Sequence, residues 1–413
     1  MVKTGPQMPV SSRRLPRKYI LASIRAGTRL PRCRIKCSAW RYFISNRSLL
    51  LPFVAALLVF AVAACSRPPE LIGIDNPAVP TASVRDLSRK RIFITTTREA
   101  SEVVGAFYSA NRAPELGLAS VEVTVPPNHT LGRLERPKRL PPDPRTEFAI
   151  VDPVIYNSDD AFVSEINREL ATRPAGQRKV LLFIHGYNNT TSDALLRLAQ
   201  FVEDTGFQGV PVLFTWASAA RAPRYVYDLN SALVARVKIK EMADILVRTR
   251  AESADLFAHS MGAFLMMEGL VDAEQAGYLG RRKTINHFIL ASPDIDIDLF
   301  RTQIGLLPQA VREKMYILVS KDDSALRLSR RIAGGVPRVG AADAQELERL
   351  GPTVIDLSEI DNSSSGSHSK FAGSPEVVQL IGSGLNTAGR FGESATPGLD
   401  RILDGVPIRI VGN

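Results

Sequence analysis

The stretch Asp255-Leu256-Phe257-Ala258-His259-Ser260-Met261-Gly262 runs directly into Ala263-Phe264-Leu265-Met266-Met267, and it indicates the fold of the whole chain. An apolar run reaches a small residue, a polar pair and a glycine, and then continues in a pattern compatible with a helix. That order is typical of a strand, a sharp turn that carries a serine, and a helix. The turn requires small residues two positions before and after the serine, because the two backbones approach closely there. Gly262 meets this requirement, and Ala258 is one methyl group larger than the usual glycine.

Ser260 would need a histidine as base and usually a carboxylate that orients this histidine. Only His287 and His368 follow it in the chain. His287 lies inside an apolar run that predicts a strand, so we expect it to be buried and structural. His368 lies in a polar loop at 363–369, after the last predicted strand, which is where the base of a serine nucleophile would be expected.

Two aspartates are candidates for the carboxylate. Asp323 follows the predicted strand at 315–320, and Asp294 follows the predicted strand at 285–291. Both would lie at the sheet edge that carries Ser260. The order of elements favours Asp323, and Asp294 remains the alternative. Asp322 is expected to point elsewhere, and either it or Asp323 could cap the next helix.

An oxyanion that develops on a substrate would need two backbone N–H donors. Met261 follows the serine at a predicted helix N-terminus and supplies the first. His185-Gly186-Tyr187-Asn188 follows an earlier buried strand, and the N–H of Tyr187 is the natural second donor. Four side chains are predicted to border the substrate pocket, although Trp216 is equally compatible with core packing: His185, Trp216, Tyr225 and His259.

Strands and helices alternate from about residue 159 onward. Short apolar runs such as 180–184 are typical of strands covered on both faces, and periodic segments such as 192–204 and 229–250 predict helices. This alternation predicts an α/β fold with a doubly wound, mostly parallel sheet. The strands predicted at 91–97, 121–125 and 148–151 would form an N-terminal β extension.

The net charge of +10 belongs to the first 65 residues. These hold twelve Lys and Arg and no acid, whereas the rest of the chain holds 40 basic and 42 acidic side chains. The body therefore gives no reason to propose nucleic-acid binding. All three cysteines (Cys33, Cys37 and Cys65) also lie in this extension, so neither disulfides nor thiolate metal sites are expected in the body.

The uncharged run at 49–64 has the length of the apolar region of a secretory signal rather than of a spanning helix. It ends in Val62-Ala63-Ala64-Cys65, which resembles the lipobox of bacterial lipoproteins, where the cysteine is acylated. We expect an exported, membrane-tethered protein, and an uncleaved signal-anchor is the alternative. The predicted organisation is an extension and signal at 1–65, a flexible tether at 66–90, the β extension at 91–156, a catalytic domain at 157–390 and a tail at 391–413.

Many short motifs occur in an order that resembles a family of bacterial α/β-hydrolases, catalogued as a domain of unknown function in the esterase/lipase superfamily. The resemblance covers roughly residues 91–385 and departs from the family at Ala217, where proline is usual. It rests on these motifs: Thr97-Arg98, Asn111-Arg112, His185-Gly186-Tyr187-Asn188, Phe214-Thr215-Trp216, Tyr225 to Asp228, Ala258-His259-Ser260-Met261-Gly262, Ser292-Pro293-Asp294-Ile295-Asp296, Asp323-Ser324-Ala325-Leu326 and Gly366-Ser367-His368-Ser369.

The resemblance implies the α/β-hydrolase fold and a Ser-Asp-His hydrolase that needs no cofactor. We expect a carboxylesterase acting on a small-molecule or lipid ester. A lipase, thioesterase or peptidase on the same triad is an alternative, although the short segment 217–228 with Arg221 and Arg224 disfavours triglycerides. The other alternative is a catalytically silent envelope protein that binds without reacting.

Overall fold

The computed structural model describes residues 68–279, 285–361, 366–386 and 408–412. Cys65 and the signal-like stretch lie outside the described residues, as does part of the polar loop before His368.

The described strands form one sheet in the order β10-β9-β8-β7-β6-β4-β5-β1-β2-β3. The seven neighbours from β9 to β1 run parallel, β2 and β3 extend the sheet antiparallel beyond β1, and β10 pairs antiparallel with β9. The strands are β1 Ser88–Ala100, β2 Tyr108–Val125, β3 Ala149–Ile155, β4 Lys179–Ile184, β5 Val210–Thr215, β6 Ser253–His259, β7 Ile285–Ala291, β8 Met315–Val319, β9 Thr353–Asp356 and β10 Arg409–Val411.

Helices cover both faces of this sheet, and each face has its own apolar core. Phe162, Leu265 and Phe300 belong to one core, and Phe201 and Leu380 to the other. The described α-helices are α1 Asp159–Ala171, α2 Thr191–Asp204, α3 Tyr225–Val247, α4 Met261–Gln275, α5 Ile297–Gly305, α6 Gln309–Arg312, α7 Ser324–Ile332, α8 Ala344–Glu348, α9 Lys370–Gly373 and α10 Pro375–Asn386. The predicted α/β class with a doubly wound, mostly parallel sheet is confirmed.

The connections reverse direction at the centre of the sheet. From β4 the chain moves to β5 on one side, and it then returns to place β6 on the other side of β4. Crevices at such a switch point, outside the carboxyl ends of the strands, are the usual ligand sites of open α/β sheets. The loops after β4 and β6 carry Gly186 and Ser260, so the topology brings these two loops together.

Two boundaries differ from the sequence expectation. The tether predicted at 66–90 contains Leu71 and Ile72, which are buried in one of the two cores, and Ile72 bridges Ile150. Backbone hydrogen bonds from Ile72 to Gly105 and from Gly73 to Ile150 add to this packing, so the segment is not a free tether there. The tail predicted at 391–413 includes β10, which adds a strand to the sheet. None of the helices within the described residues combines the length and apolar content needed to cross a membrane.

Candidate active site

Ser260 occupies a strained turn between β6 and α4. Its backbone has φ 55° and ψ −123°, a combination that non-glycine residues rarely adopt and that costs on the order of 1–3 kcal/mol. Its N–H donates to the Ala291 carbonyl at 2.9 Å, which ties the turn to β7. A Cβ on Gly262 would lie 2.4 Å from the His185 carbonyl oxygen, so only glycine fits there. The predicted strand, turn and helix are therefore present, with Ser260 at the turn.

The loop after β4 packs directly on this turn. A Cβ on Gly186 would lie 2.8 Å from the Cβ of Ser260, which shows how closely the two backbones approach. Among the backbone hydrogen bonds of the described turns, loops and helix caps, none is donated by the N–H of Tyr187 or by that of Met261. Both predicted oxyanion donors thus lie in segments that meet at Ser260.

His368 is paired with Asp323. The His368 Nδ1 lies 2.7 Å from Asp323 Oδ2, and the Asp323 side chain is fully buried, whereas that of His368 is 22% exposed. The other Asp323 oxygen accepts the N–H of Leu326 at 3.0 Å, so this carboxylate also caps α7. The cap fixes the carboxylate on the helix end, and the pair then fixes the imidazole.

Two further contacts join the same loops on either side of this pair. The Ser324 N–H donates to Ser367 Oγ at 3.1 Å. The ammonium of Lys370, which is only 1% exposed, donates to both oxygens of Asp322 at 2.9 and 3.0 Å and to the Leu357 carbonyl. Residues 322, 323 and 324 of one loop therefore contact residues 370, 368 and 367 of the other, and Asp322 points away from His368, as its sequence position predicts.

His259 connects the serine turn with the histidine loop. Its Nε2 donates to the His368 carbonyl at 3.0 Å, and its ring packs 4.7 Å from the His368 ring. Burial, followed by the charge of His368, holds the pKa of His259 well below its usual value, so this ring is neutral. A neutral ring beside His368 adds no standing positive charge to the site.

Asp294, the alternative acid, is engaged elsewhere. Its oxygens accept the hydroxyls of Tyr225 at 3.0 Å and Ser329 at 2.5 Å, and the Arg338 guanidinium lies 3.3 Å away. Its own N–H donates to the Ser260 carbonyl at 3.2 Å. The structure therefore brings Asp323, and not Asp294, to His368, while Asp294 supports the backbone beneath the serine.

Two residues predicted to border the pocket, His185 and Trp216, are buried. Trp216 is fully buried, donates from Nε1 to the His185 carbonyl at 2.9 Å and stacks on the His185 ring at 5.1 Å. The rim prediction is wrong for both, because side chains that end a central strand can face the core. Tyr225 is also buried, with its ring 5.4 Å from that of Tyr187, whereas His259 remains partly exposed.

His185 instead belongs to a chain of hydrogen bonds that holds the loop after β4. Burial and the charge of Arg98 lower the pKa of His185 to about 3, so the ring is neutral. Arg98 Nε donates to Thr215 Oγ1 at 2.9 Å. The Thr215 hydroxyl can then donate to His185 Nε2 at 3.0 Å, and His185 Nδ1 donates to the Gly186 carbonyl at 2.8 Å.

Arg98 and Asp228 support the loop after β4 from neighbouring segments. Arg98 also donates to the carbonyls of Asn189 and Ser218, at 2.8 and 3.0 Å. Asp228 accepts the N–H of Asn188 at 3.2 Å, and burial raises its pKa. The Thr97-Arg98 motif was the available signal, because a charged residue at the end of an apolar strand requires an internal partner.

Comparison with known proteins supports the fold. The model of the family described as "Alpha/beta hydrolase of unknown function (DUF900)" matches residues 158–384, more than half of the chain. No curated protein matches. Because the family model covers this span, the α/β-hydrolase fold rests on it and on the sheet.

Three solved structures are similar over much of the chain, with low identity. A putative cell surface hydrolase from Lactobacillus plantarum WCFS1 is 10% identical, with 57% of this chain and 100% of that chain covered and a TM-score of 0.37. A predicted CIB-like hydrolase from Thermoplasma acidophilum is 10% identical over 73% of this chain and 99% of that chain, with a TM-score of 0.35. A fungal esterase from Rhizomucor miehei is 12% identical over 76% and 84%, with a TM-score of 0.33.

Similarity this low does not bear on the function of this protein. The family model, which the sheet topology matches, shows the family by itself: the chain belongs to the α/β-hydrolase family of unknown function DUF900.

Proposed function

We propose that this hydrolase cleaves carboxylic esters through Ser260, His368 and Asp323. The observation that carries the proposal is the 2.7 Å contact between His368 Nδ1 and buried Asp323, on a loop that His259 links to the strained serine turn. Because Nδ1 donates to the carboxylate, Nε2 is left as the basic nitrogen. A serine, a base and an orienting acid in this order are the components that acyl transfer requires.

In the proposed reaction, His368 Nε2 takes the hydroxyl proton as Ser260 Oγ attacks the ester carbonyl. The tetrahedral intermediate collapses when His368 returns that proton to the leaving alcohol, and the acyl group remains on Ser260. Water then attacks the acyl-enzyme with His368 again as base, and this releases the acid. Asp323 keeps the imidazole in the required tautomer and stabilises its charged form.

The negative charge on the substrate oxygen would be held by the N–H groups of Met261 and Tyr187. The first stands at the N-terminus of α4, where the helix dipole favours an anion. The second is supported by the close packing of Gly186 on Ser260 and by the bond from His185 to the Gly186 carbonyl. Removing one such donor typically costs about 10²–10³ in kcat.

Labelling with a fluorophosphonate probe tests this proposal. We expect the wild type to be labelled and Ser260→Ala to be unlabelled, with Ser164→Ala, an exposed position on α1, as a control that keeps the label. A folded wild type that remains unlabelled would contradict the enzyme and favour a silent binding protein. Rates on p-nitrophenyl esters of increasing chain length, compared with thioesters and peptides, would separate the esterase from the lipase, thioesterase and peptidase alternatives.

We also propose that the protein is tethered at the bacterial envelope by acylation of Cys65. The support is the sequence Val62-Ala63-Ala64-Cys65 after an apolar run of sixteen uncharged residues. Cys65→Ser should abolish incorporation of labelled fatty acid and release the protein from membranes. Membrane retention of this variant that persists after a high-salt wash, which removes electrostatically bound protein, would favour an uncleaved signal-anchor.

A further inference from the structure

A basic and aliphatic surface borders the candidate active site. It consists of two segments, 221–226 and 327–332, which lie at the start of α3 and along α7. Tyr225 Oη and Ser329 Oγ join these segments at 3.0 Å, and the Tyr187 hydroxyl donates to the Ala222 carbonyl. The surface therefore adjoins the loop that carries the proposed oxyanion donor.

The first segment presents Arg221, Arg224 and Val226 to solvent. Val226 is 63% exposed, although it is aliphatic and lies one residue after buried Tyr225. No acid occurs anywhere between residues 217 and 227. The charge of this border is thus purely positive.

The second segment is an amphipathic helix. Leu326 and Ser329 of α7 face the protein, while Leu328 and Ile332 are 57% and 51% exposed on the outer side. Arg327, Arg330 and Arg331 are exposed around these two aliphatic residues. Exposed apolar side chains one helical turn apart, flanked by cations, are typical of helices that lie in a membrane interface.

None of the five arginines in these two segments forms an ion pair with a carboxylate among the described residues. Four acids adjoin these segments, and all are bonded inside the fold: Asp228 and Asp294 are buried, Asp323 binds His368, and Asp322 binds Lys370. The exposed acids Asp298 and Asp343 are each paired with a cation outside this surface, Arg301 and Lys321. Elsewhere the surface cations are often paired, as Arg168 is with Glu165.

We propose that this surface docks on an anionic lipid bilayer, so that the site receives acyl esters from the membrane. The arginines match phosphate headgroups, and the three aliphatic side chains match the boundary with the acyl chains. A nucleic acid would use the charges but would gain little from exposed valine, leucine and isoleucine. The substrate class rests on the proposed esterase, whereas docking does not.

Flotation of the full-length protein with vesicles tests the docking. Phosphatidylcholine vesicles are compared with vesicles that also contain phosphatidylglycerol, for the wild type, Arg327→Glu/Arg331→Glu and Leu328→Ser/Ile332→Ser. The hydrophobic stretch at 49–64 is present in every variant and gives the same background. Lys138→Glu/Arg139→Glu is the matched control, because these exposed cations lie between β2 and β3, at the other end of the sheet.

We expect the arginine reversal to weaken the preference for anionic vesicles by about tenfold or more, since it replaces attraction to the headgroups with repulsion at two positions. The serine variant should weaken binding less, and the control should bind as the wild type does. An unchanged preference in the arginine reversal would overturn the proposal. So would equal binding of the wild type to both vesicle types together with retention on heparin, which would point to another polyanion.

Kinetics separate this surface from the chemistry. The arginine reversal should hydrolyse soluble p-nitrophenyl butyrate at the wild-type rate but lose the faster turnover of an ester embedded in anionic vesicles. If the wild type cleaves no ester at all, the proposed function fails, while flotation still decides the docking. If both substrates are cleaved at wild-type rates by the reversal, the docking surface fails and the esterase stands.

Discussion

Two histidine–aspartate pairs in this protein have the same contact distance but lie in different places. His368 Nδ1 lies 2.7 Å from Asp323, and His287 Nδ1 lies 2.7 Å from Asp255. The first pair joins two loops beyond the carboxyl ends of strands. The second joins residues that face each other in β7 and β6, within the sheet.

The difference shows that pairing alone does not define a site. His287 is 7% exposed, its ring packs edge-on against Tyr316 at 5.6 Å, and it lies inside a strand rather than at the edge where the loops meet. His368 keeps part of its ring accessible and lies beside the strained serine turn. What separates the pairs is access and a nucleophile, and both depend on the edge of the sheet at which the residues emerge.

Replacing each histidine with glutamine should give the largest contrast. His368→Gln removes the proposed base, and we expect kcat to fall by about 10⁵–10⁶, as for a triad base. His287→Gln should change kcat little and lower Tm, because it disturbs only a buried pair. Initial rates on a soluble ester together with thermal unfolding would measure both effects. An equal loss of kcat in folded His287→Gln would remove the distinction between the pairs.

Replacing the aspartate of each pair should change kcat less than replacing its histidine. Asp323→Asn should lower kcat by about 10⁴, because the amide would favour the wrong tautomer of His368. Asp255→Asn should act on stability alone. Asp294→Asn serves as the third arm, since Asp294 is held by Tyr225 and Ser329. If Asp294→Asn loses more rate than Asp323→Asn, the acid has been assigned to the wrong residue.

The sequence predicts these positions unequally, for physical reasons. The α/β sheet follows from the apolar runs, and strand 285–291 matches β7 at both ends. The nearness of residues 323 and 368 follows because parallel strands deliver their loops to one edge. The contacts of Arg98 with residues 189, 215 and 218 connect segments about 90 to 120 positions apart, and no local pattern encodes them.

The direction of side chains at the ends of strands is the feature that the sequence predicts least well. Trp216 follows β5 directly, and its residue type fits a pocket as well as a core, so only the packed fold shows that it faces inward. The prolines around Leu71 and Ile72 likewise favour a tether in the sequence, although both side chains are buried. The regular part of the fold is therefore predictable from periodicity, whereas the inner support of the candidate site is not.

A substitution at Gly186 tests whether the loop after β4 positions the reaction at Ser260, the nucleophile proposed to act with His368. Gly186→Ala places a methyl group 2.8 Å from the Cβ of Ser260 and must push the two loops apart. We expect kcat to fall by about 10²-fold, the scale of a lost oxyanion donor, with little change in KM. Gly305→Ala is the control, since its added Cβ meets nothing within 4 Å and its φ is not positive. Equal kcat in both variants would show that the Gly186 loop does not position the reaction.

Lys370 tests the support beneath His368. Lys370→Met removes the buried ammonium that binds Asp322 and the Leu357 carbonyl, so the histidine loop should loosen. We expect about a tenfold loss of kcat, corresponding to about 1.4 kcal/mol, and partial recovery in Lys370→Arg. His287 lies within β7, so no comparable loop supports it. A stability loss with unchanged kcat would limit Lys370 to a purely structural role.

His129 offers the smallest and most specific test, because it is a third imidazole and is held by two carboxylates. Its Nδ1 lies 2.7 Å from Glu135 and its Nε2 2.7 Å from Asp204, so the ring joins the loop after β2 to the end of α2. Burial alone would lower the pKa of His129, but its hydrogen bonds to Asp204 and Glu135 outweigh this effect and raise it above the usual 6.5. Charged His129 therefore stabilises the folded state. That stability is complete below pH 6.5 and is lost as the pH rises through the higher folded value.

The measurement is the difference in Tm between the wild type and His129→Gln at pH values from 6 to 8.5. We expect the wild-type advantage to be largest at the acidic end and to shrink with rising pH, by on the order of 2 °C. Activity on a soluble ester at fixed temperature should stay equal, because His129 lies outside the loops around Ser260. A difference that grows with pH would mean that the ring is held neutral. In that case the loop would depend on ordinary hydrogen bonds rather than on an ion pair between charged groups.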